Sequence, residues 1–461
     1  MRNYSTAERI DKVEATDEAL SGRGGLALFN RYLCEIGILK ILDTQFGHLR
    51  GSAKGLAIWK IFKQVILYLF DGTSRHVNYF DELKNDPGYG AVIEESAVEL
   101  ASSHTIKRFF RLFSFGAAVL FRRLLRRLFI WRLKIERPDE ILLTVDTMVM
   151  NNDEALVREG VQPTYKKVKG FQPLQLIWEG RIVDAIFRGG KKHGNCGDTV
   201  ADMARDITKH IREKYRYDVT IIVRADSGFF DKKNFAAFDE MGIGFIGTGK
   251  MYESVKESAR DVPESEWKCY DNGHQTWSYC EFGYRPDSWE KFYRAVYTKP
   301  IYDGKQGLLD FARPDNVIIS NIGVNTDALK HCSEERREYW LKAASIIRSH
   351  HGRGADELPH RGLKDFGFEQ LPFKRFAANN AFYYCMLIAF FLFECFKRDV
   401  LSEVSPITAY AATVRRKLVD FAVKIVKTSR QIILKAPRAV MDSLKIADLW
   451  ELCQNPPPIN T

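Results

Sequence analysis

Residues 141–150 read ILLTVDTMVM, and this stretch decides the fold class of the chain. Its β-branched and other apolar side chains are typical of a buried strand, and the strand carries one carboxylate, Asp146. A second apolar run, VTIIVRADSG at 219–228, reads as another buried strand that ends at Asp226. Two separate strands therefore each supply one aspartate that could take part in a shared site.

The chain around these two strands alternates between strand and helix patterns. Residues 174–180 and 181–190 predict two strands that turn at Glu179-Gly180, and residues 244–250 predict a further one. Residues 197–215 and 232–242 have the apolar spacing of helices. The predicted order is three strands, a helix, a strand, a helix and a strand. This order indicates an α/β fold, with a mixed sheet and helices on its faces.

The flanking segments differ from this centre and suggest domain boundaries. Residues 1–135 show helical spacing almost throughout, whereas residues 251–335 look strand-rich and contain many Trp and Tyr residues. Residues 336–400 return to a helical pattern, and residues 401–461 look like a helical, basic C-terminal segment. The chain thus divides at 135/136, 250/251, 335/336 and 400/401, with the α/β domain in two parts, 136–250 and 336–400.

Residues 350–367, HHGRGADELPHRGLKDFG, frame one acid with two cations. On a helix Arg353 and Glu357 share a face, and Lys364 follows Glu357 by about two turns. A carboxylate beside two cations suits a metal ligand next to DNA phosphates, and an Arg353–Glu357 ion pair is the structural alternative. Pro359 and the glycines predict a bend or a break in this helical stretch.

The acids Asp146, Asp226 and Glu357 form a candidate three-carboxylate site. Hard divalent cations prefer oxygen ligands, and two such ions can clamp the attacking and leaving oxygens of a phosphodiester. The alternative is that strands often end in Asp because turns favour it. The combination with Arg353 and Lys364 and the basic character of the chain favour the metal site.

Charge and cysteine usage narrow the class of protein. The chain has 461 residues, a formal net charge of +10 and a pI of about 9.0, which favours an anionic partner, with nucleic acid the leading candidate. Its 8 cysteines contain no C-x-x-C pair, so a zinc site is unsupported and a reducing cytosol fits better than a disulfide framework. The first 20 residues carry charges throughout and do not resemble a secretory signal. The longest apolar run, 381–393, is shorter than the roughly 20 residues of a membrane span, so we expect a buried helix and a cytoplasmic protein.

A basic helix is predicted at 121–134, FRRLLRRLFIWRLK. Its leucines and phenylalanines form one apolar stripe, and Arg122, Arg126 and Arg127 lie among the cations on the remaining faces. Such a helix can pack on a core and present cations to DNA phosphates. A solvated basic face without a ligand explains the pattern equally well.

Taken in order, these motifs resemble the DDE transposases of bacterial insertion sequences, which have an RNase H-like catalytic domain. In a large branch of that family the last acid lies in a motif of Tyr, two residues, Arg, three residues, Glu, six residues and Lys. Arg353, Glu357 and Lys364 match this motif, whereas His350 stands at the tyrosine position. LTVDT and VRADSGF resemble the two aspartate motifs, and residues 251–335 resemble the β-rich insertion of this branch.

The resemblance implies a transposase that cleaves DNA at transposon ends and transfers the 3′ hydroxyl to target DNA. It implies two Mg²⁺ or Mn²⁺ ions on the three acids, double-stranded DNA as partner, a homodimer in a synaptic complex, and end recognition by the helices of residues 1–135. Arg353, Lys364 and His350 would contact phosphates. Trp267, Trp277 or Trp289 would stack on a flipped DNA base, although tryptophans in a sheet usually belong to its core. The alternatives are an RNase H-like endonuclease without strand transfer and a DNA-binding regulator without catalysis.

Overall fold

The computed structural model describes residues 10, 12–51, 54–155, 157–192, 199–301, 315–352 and 357–459, with the backbone alone at Pro87 and Glu357. The strands are β1 (Leu20–Ser21), β2 (Glu140–Thr147), β3 (Met150–Asn151), β4 (Gln162–Pro163), β5 (Lys169–Phe171), β6 (Leu174–Trp178), β7 (Arg181–Ile186), β8 (Thr220–Ala225), β9 (Gly244–Thr248), β10 (Lys268–Asp271), β11 (Thr276–Tyr284), β12 (Tyr293–Ile301), β13 (Asn316–Ser320), β14 (Val423–Lys427) and β15 (Ile432–Lys435). The helices are α1 (Leu26–Glu35), α2 (Ile38–Phe46), α3 (Ile58–Asp71), α4 (Tyr79–Lys84), α5 (Pro87–Val92), α6 (Ser103–Arg111), α7 (Ala118–Glu136), α8 (Thr199–Lys214), α9 (Lys232–Glu240), α10 (Glu253–Arg260), α11 (Glu334–Leu341), α12 (Ala343–His351), α13 (Glu357–Gly367), α14 (Phe376–Asp399), α15 (Ala411–Val414), α16 (Arg438–Ser443) and α17 (Ile446–Gln454).

The central sheet confirms the predicted mixed α/β architecture. Its strand order is β10-β11-β12-β13-β9-β8-β2-β6-β7. β2, β8 and β9 run parallel, whereas β6 and β7 form an antiparallel hairpin beside β2. In chain order the strands β2, β6, β7, β8 and β9 therefore lie as 3-2-1-4-5, with α8 and α9 as the helical connections. This is the RNase H-like arrangement.

The strand-rich segment after β9 extends this sheet. β13 pairs antiparallel with β9, with Ser320 opposite Ile246, and β12, β11 and β10 follow in turn. One face of these strands packs on α12, where Trp277 and Val296 share a buried cluster with Ile346. The predicted insertion is thus strand-rich, and it continues the central sheet; its predicted boundaries stay predictions.

Helix α14 joins the N-terminal helices and the sheet into one core. It contacts α3, α6 and α7 as well as β7, for example through the stacked rings of Phe121 and Tyr384, whose centroids lie 5.5 Å apart. By length and composition α14 could cross a membrane, and 89% of its most apolar stretch is buried inside the protein. The interpretation of residues 381–393 as a buried helix is therefore confirmed.

The C-terminal segment differs from its purely helical prediction. β14 and β15 form an antiparallel hairpin closed at Thr428, whose N–H donates to the carbonyl of Gln431 at 2.8 Å, and β1 pairs with the other side of β14. The helical prediction for residues 401–461 is wrong here because VKIVK and IILK are short β-branched runs, whose spacing does not separate strand from helix. The helical part of this segment is limited to α15, a π-helical turn at Arg415–Val419, α16 and α17.

Candidate active site

The parallel register of β2 and β8 brings Asp146 and Asp226 together. Thr144 pairs with Arg224 and Val145 with Ala225, so that Asp146 and Asp226 are the next residues in register. Neighbouring strands lie about 4.8 Å apart and side chains alternate in direction, so we expect both carboxylates on one face of the sheet. The two predicted aspartates therefore occupy adjacent positions at the carboxyl ends of the two central strands.

Local backbone contacts hold each carboxylate. Asp226 is the first residue after β8, and its Oδ1 accepts a hydrogen bond from the N–H of Gly228 at 2.8 Å. Asp146 Oδ1 accepts from the N–H of Thr147 at 2.6 Å, and its side chain is 21% exposed. Two fixed, partly accessible carboxylates form an oxygen-rich pair that suits a hard divalent cation.

Arg224 anchors helix α12 above these strands. Its guanidinium donates to Thr144 Oγ1 from Nε at 3.2 Å and from Nη2 at 3.1 Å, and to the carbonyl of Ser349 from Nη1 at 3.0 Å. Next along the chain, His350 Nε2 lies 2.8 Å from Thr248 Oγ1 at the end of β9. The last turn of α12 is thus fixed over the same strand ends that carry the two aspartates.

Helix α13 begins at Glu357 and lies beside Asp146. His360, three residues after Glu357, places its Nδ1 3.8 Å from Asp146 Oδ2. Residues three apart share a helix face, so the first turn of α13 is directed toward the aspartate pair. Pro359 lies in the first turn of α13, where proline is tolerated, and the bend predicted before Glu357 falls on residues outside those that the structure describes.

The third acid and its arginine fall outside what the structure describes. Arg353 and the side chain of Glu357 are not among the described atoms, so the meeting of three carboxylates stays a prediction. Among the described residues, no group of three or more His, Cys, Asp or Glu side chains could hold a metal ion. The described part of the site is the pair of aspartates with His360 next to it.

The environment of His360 keeps its imidazole neutral. Burial lowers the pKa of His360 to about 4, and the positive charges of Lys364 and Lys166 act in the same direction. At neutral pH its contact with Asp146 is therefore not an ion pair. The sequence motif contained a signal for this residue, because His360 lies one turn from both Glu357 and Lys364 on the same stripe.

The predicted phosphate contacts next to the site have protein partners. Lys364 lies on α13 two turns after Glu357, and its Nζ is 3.1 Å from Glu369 Oε1, with 31% of the side chain exposed. His350 is 9% exposed and bonded to Thr248, so its position in this structure argues against direct contact with a phosphate. Lys364 remains accessible to a ligand, whereas His350 belongs to the support of α12.

Two arginines of α7 form ion pairs with carboxylates of the sheet and of α8. Arg122 donates to the fully buried Asp184 from Nε at 2.8 Å and from Nη2 at 2.7 Å, and Arg126 Nε lies 3.3 Å from the same carboxylate. Arg126 also reaches Asp206 at 3.3 Å. Burial lowers the pKa of Arg127, which is half-buried. The expected outward face of cations is therefore not formed by Arg122 and Arg126, because a carboxylate on β7 neutralises them, and a role of these residues in DNA binding stays a prediction.

The tryptophan candidates for base stacking are mostly core residues. Trp277 is 3% exposed and lies against the ring of His351, with centroids 4.5 Å apart. Trp289 is 8% exposed and stacks on Phe230 at 5.2 Å. Trp267 is half-buried, and its Nε1 donates to the carbonyl of Val262 at 3.3 Å. Because neighbouring protein rings cover Trp277 and Trp289, base stacking stays a prediction that fits Trp267 best.

Comparison with known proteins agrees with the resemblance seen in the motifs. The family model described as transposase DDE domain, group 1, matches residues 6–455. No curated protein matches the chain. Among solved structures, the chain is similar to a piggyBac transposase in a synaptic complex with hairpin DNA, determined by cryo-EM, with 13% sequence identity and a TM-score of 0.40 over 86% of this chain and 80% of that one.

Proposed function

Because the chain belongs to the family of transposase DDE domains of group 1, we propose that it cleaves DNA at transposon ends and transfers the freed 3′ hydroxyl to target DNA. The observation that carries this proposal is the register of β2 and β8, which sets Asp146 and Asp226 side by side next to the first turn of α13. Cleavage of a phosphodiester requires an activated oxygen nucleophile and a stabilised leaving oxygen, and a carboxylate cluster that holds divalent cations meets both needs.

The two aspartates have the ligand chemistry that a divalent metal prefers. Asp146 and Asp226 supply hard oxygen ligands from rigid strand ends, and Glu357 on α13 would add the third carboxylate. Two Mg²⁺ or Mn²⁺ ions bound there would neutralise charge on the attacking and leaving oxygens. Neutral His360, whose Nδ1 lies 3.8 Å from Asp146 Oδ2, would position that carboxylate, and Lys364 and Arg353 would contact the phosphates that flank the scissile bond.

The proposed partner is double-stranded DNA, both the inverted-repeat ends of the element and the target. We propose a homodimer that holds two ends in one synaptic complex, with each copy contributing one aspartate pair. The element would be a bacterial insertion sequence, and the protein would act in the cytoplasm and on the nucleoid. The basic net charge of +10 supports a DNA partner.

The decisive experiment combines end DNA with a target. The DNA on either side of the reading frame supplies the candidate inverted repeats, and the purified protein is incubated with a labelled end fragment, a supercoiled plasmid and Mn²⁺. A transposase gives cut ends and end–plasmid joints, an endonuclease without strand transfer gives cut ends alone, and a regulator shifts the DNA without cutting it. EDTA is expected to abolish both cutting and joining, and cutting that persists in EDTA would contradict the metal mechanism.

Substituting His360 tests its positioning role. We expect His360→Asn to raise the Mn²⁺ concentration for half-maximal cleavage about 10–100-fold, because groups that orient a metal ligand contribute about that much to metal affinity. The measurement is the cleavage rate across a Mn²⁺ titration, with the same substitution at the exposed His104 of α6 as control. An unchanged half-maximal concentration, or a loss of rate that saturating Mn²⁺ does not restore, would exclude this role.

A further inference from the structure

A basic cleft of about 690 Å³ lies between the N-terminal helices and the segment that follows α13. The residues lining it come from the loop after α3, from α6, from the loop after β3, from the segment between α13 and α14 and from the start of α14. Its cationic lining residues are Arg75, Lys107, Arg111, Arg158, Lys374 and Arg375. No acidic side chain is among the described residues that line it.

These cations have few carboxylate partners. Within the described parts of the chain, Arg75 alone of the six forms an ion pair, at 3.9 Å from the exposed Glu154. Lys107 and Arg158 donate to neutral amides, Asn78 Oδ1 at 2.7 Å and Asn152 Oδ1 at 3.1 Å. Apart from the contact of Arg75 with Glu154, the described carboxylates therefore leave the positive charge of the cleft without an ion-pair partner.

Two further features describe the electrostatics of the cleft. Burial lowers the pKa of Arg158, and the positive charge of Arg75, which lines the same cleft, acts in the same direction. The nearby Glu159 is already engaged, because its carboxylate accepts a hydrogen bond from the N–H of Phe376 at 2.8 Å at the start of α14. An anionic ligand would relieve this repulsion.

Hydrogen bonds and an ion pair link the residues around the cleft to segments of the candidate active site. Asn152, six residues after Asp146, accepts from Arg158 through Oδ1 and also from the N–H of Leu371 at 3.0 Å. The adjacent Glu369 accepts from the N–H of Asn151 at 2.9 Å and pairs with Lys364 of α13 at 3.1 Å. The same few residues thus connect the cleft to the segment that follows the strand of Asp146 and to the helix that begins at Glu357.

We propose that this cleft binds the sugar-phosphate backbone of DNA whose scissile bond lies at the Asp146–Asp226 pair. The proposal rests on the proposed function and deepens it, because it assigns a path for the DNA beside the site. A DNA backbone is a regular polyanion, and arginine guanidinium groups match the geometry of phosphate oxygens. Contacts of this kind fix the position of the duplex without reading its sequence.

The test removes three exposed cations of the cleft. Arg111, Lys374 and Arg375 are exposed, so the triple variant Arg111→Gln, Lys374→Gln, Arg375→Gln keeps the buried contacts of the fold. The matched control, Lys40→Gln, Lys209→Gln, Arg260→Gln, loses the same charge at exposed sites that do not line the cleft. The probe is a fluorescein-labelled duplex of arbitrary sequence, and its anisotropy is measured across a salt series.

We expect the cleft variant to bind the duplex at least about tenfold more weakly at low salt, and its slope of log affinity against log salt to fall by about 2–3, near 0.9 per lost phosphate contact. The control is expected to stay near the parent. Equal losses in both variants, or parental binding by the cleft variant, would overturn the proposal. If the cleft variant keeps its affinity for DNA and loses binding of labelled polyglutamate instead, the cleft is a surface for an acidic protein and the proposal is again overturned.

The two proposals fail in different ways. A parent that cuts end DNA while the cleft variant binds normally refutes the cleft and leaves the active site standing. A parent that binds the duplex through the cleft but cuts nothing in Mn²⁺ refutes the proposed enzymatic function and leaves a DNA-binding cleft. A parent that neither binds nor cuts refutes both.

Discussion

Asp226→Asn is expected to lower metal-dependent cleavage of end DNA by at least about 10³-fold, since bound metal contributes several kcal/mol of transition-state stabilisation and each 1.4 kcal/mol is about tenfold. The substitution removes the charge that holds the cation. Its amide oxygen still accepts the hydrogen bond from the Gly228 N–H that Asp226 Oδ1 now receives at 2.8 Å, so the turn after β8 is preserved. Binding of DNA, measured by anisotropy in EDTA, is expected to stay near that of the parent.

The control is Asp231→Asn, five residues further on. Asp231 caps α9 by accepting from the N–H of Lys233 at 2.9 Å, so it makes the same kind of contact without facing Asp146. It is expected to cleave at the parental rate. Asp146→Asn should match Asp226→Asn, and the double variant should lose little more, because residues that act as a unit are not additive. Parental cleavage by Asp226→Asn would refute the assignment of the site.

The sequence predicted the centre of the fold well because the signals there are local. ILLTVDTMVM and VTIIVRADSG are apolar runs long enough to be strands, and the helices between them have clear spacing. The position of the strand-rich segment in the fold depends instead on which strand it pairs with. Ser320 opposite Ile246 makes the segment part of the central sheet, and no pattern within residues 251–335 specifies that partner.

Side chains that act across long sequence separations were the hardest to assign. Arg122 looks like a free cation on a basic helix, and its partner Asp184 lies 62 positions away on β7. Arg224 is a charge inside an apolar run, which signals a buried contact without naming Ser349 as its acceptor. The aspartate pair was predictable because family motifs mark both residues, whereas the support around it depends on packing between elements.

Arg415 links α13, the helix beside the aspartate pair, to helix α3. Its Nε donates to the carbonyl of Phe70 at 2.8 Å and its Nη2 to that of Leu69 at 2.7 Å, both near the end of α3. Its Nη1 donates to the carbonyl of Asp365 at 3.1 Å and its Nη2 to that of Phe366 at 2.6 Å, near the end of α13. One buried guanidinium thus joins the carboxyl ends of two helices, whose dipoles favour a positive charge there.

The close approach of Arg415 requires Gly72. This glycine ends α3 with a φ of 63°, in the left-handed region that favours glycine. A Cβ atom at this position would lie 2.1 Å from Cζ of Arg415. Gly72→Ala would therefore strain the backbone and displace the guanidinium, and it provides a second way to break the same link.

Arg415→Met is expected to destabilise the protein by about 4 kcal/mol or more, because four carbonyl groups, three of them in buried contacts, lose a charged donor and each unsatisfied group costs about 1–3 kcal/mol. The measurement is urea unfolding followed by tryptophan fluorescence. Arg416→Met is the control, since Arg416 is the exposed neighbour on the same turn, and it is expected to stay within about 0.5 kcal/mol of the parent. Because Asp365 and Phe366 belong to α13, cleavage should fall as well, even at urea concentrations where the variant is still folded. Parental stability of Arg415→Met would mean that water replaces the guanidinium at these carbonyls, and α13 would then be held at the aspartate pair by its packing on α3, α14 and α15.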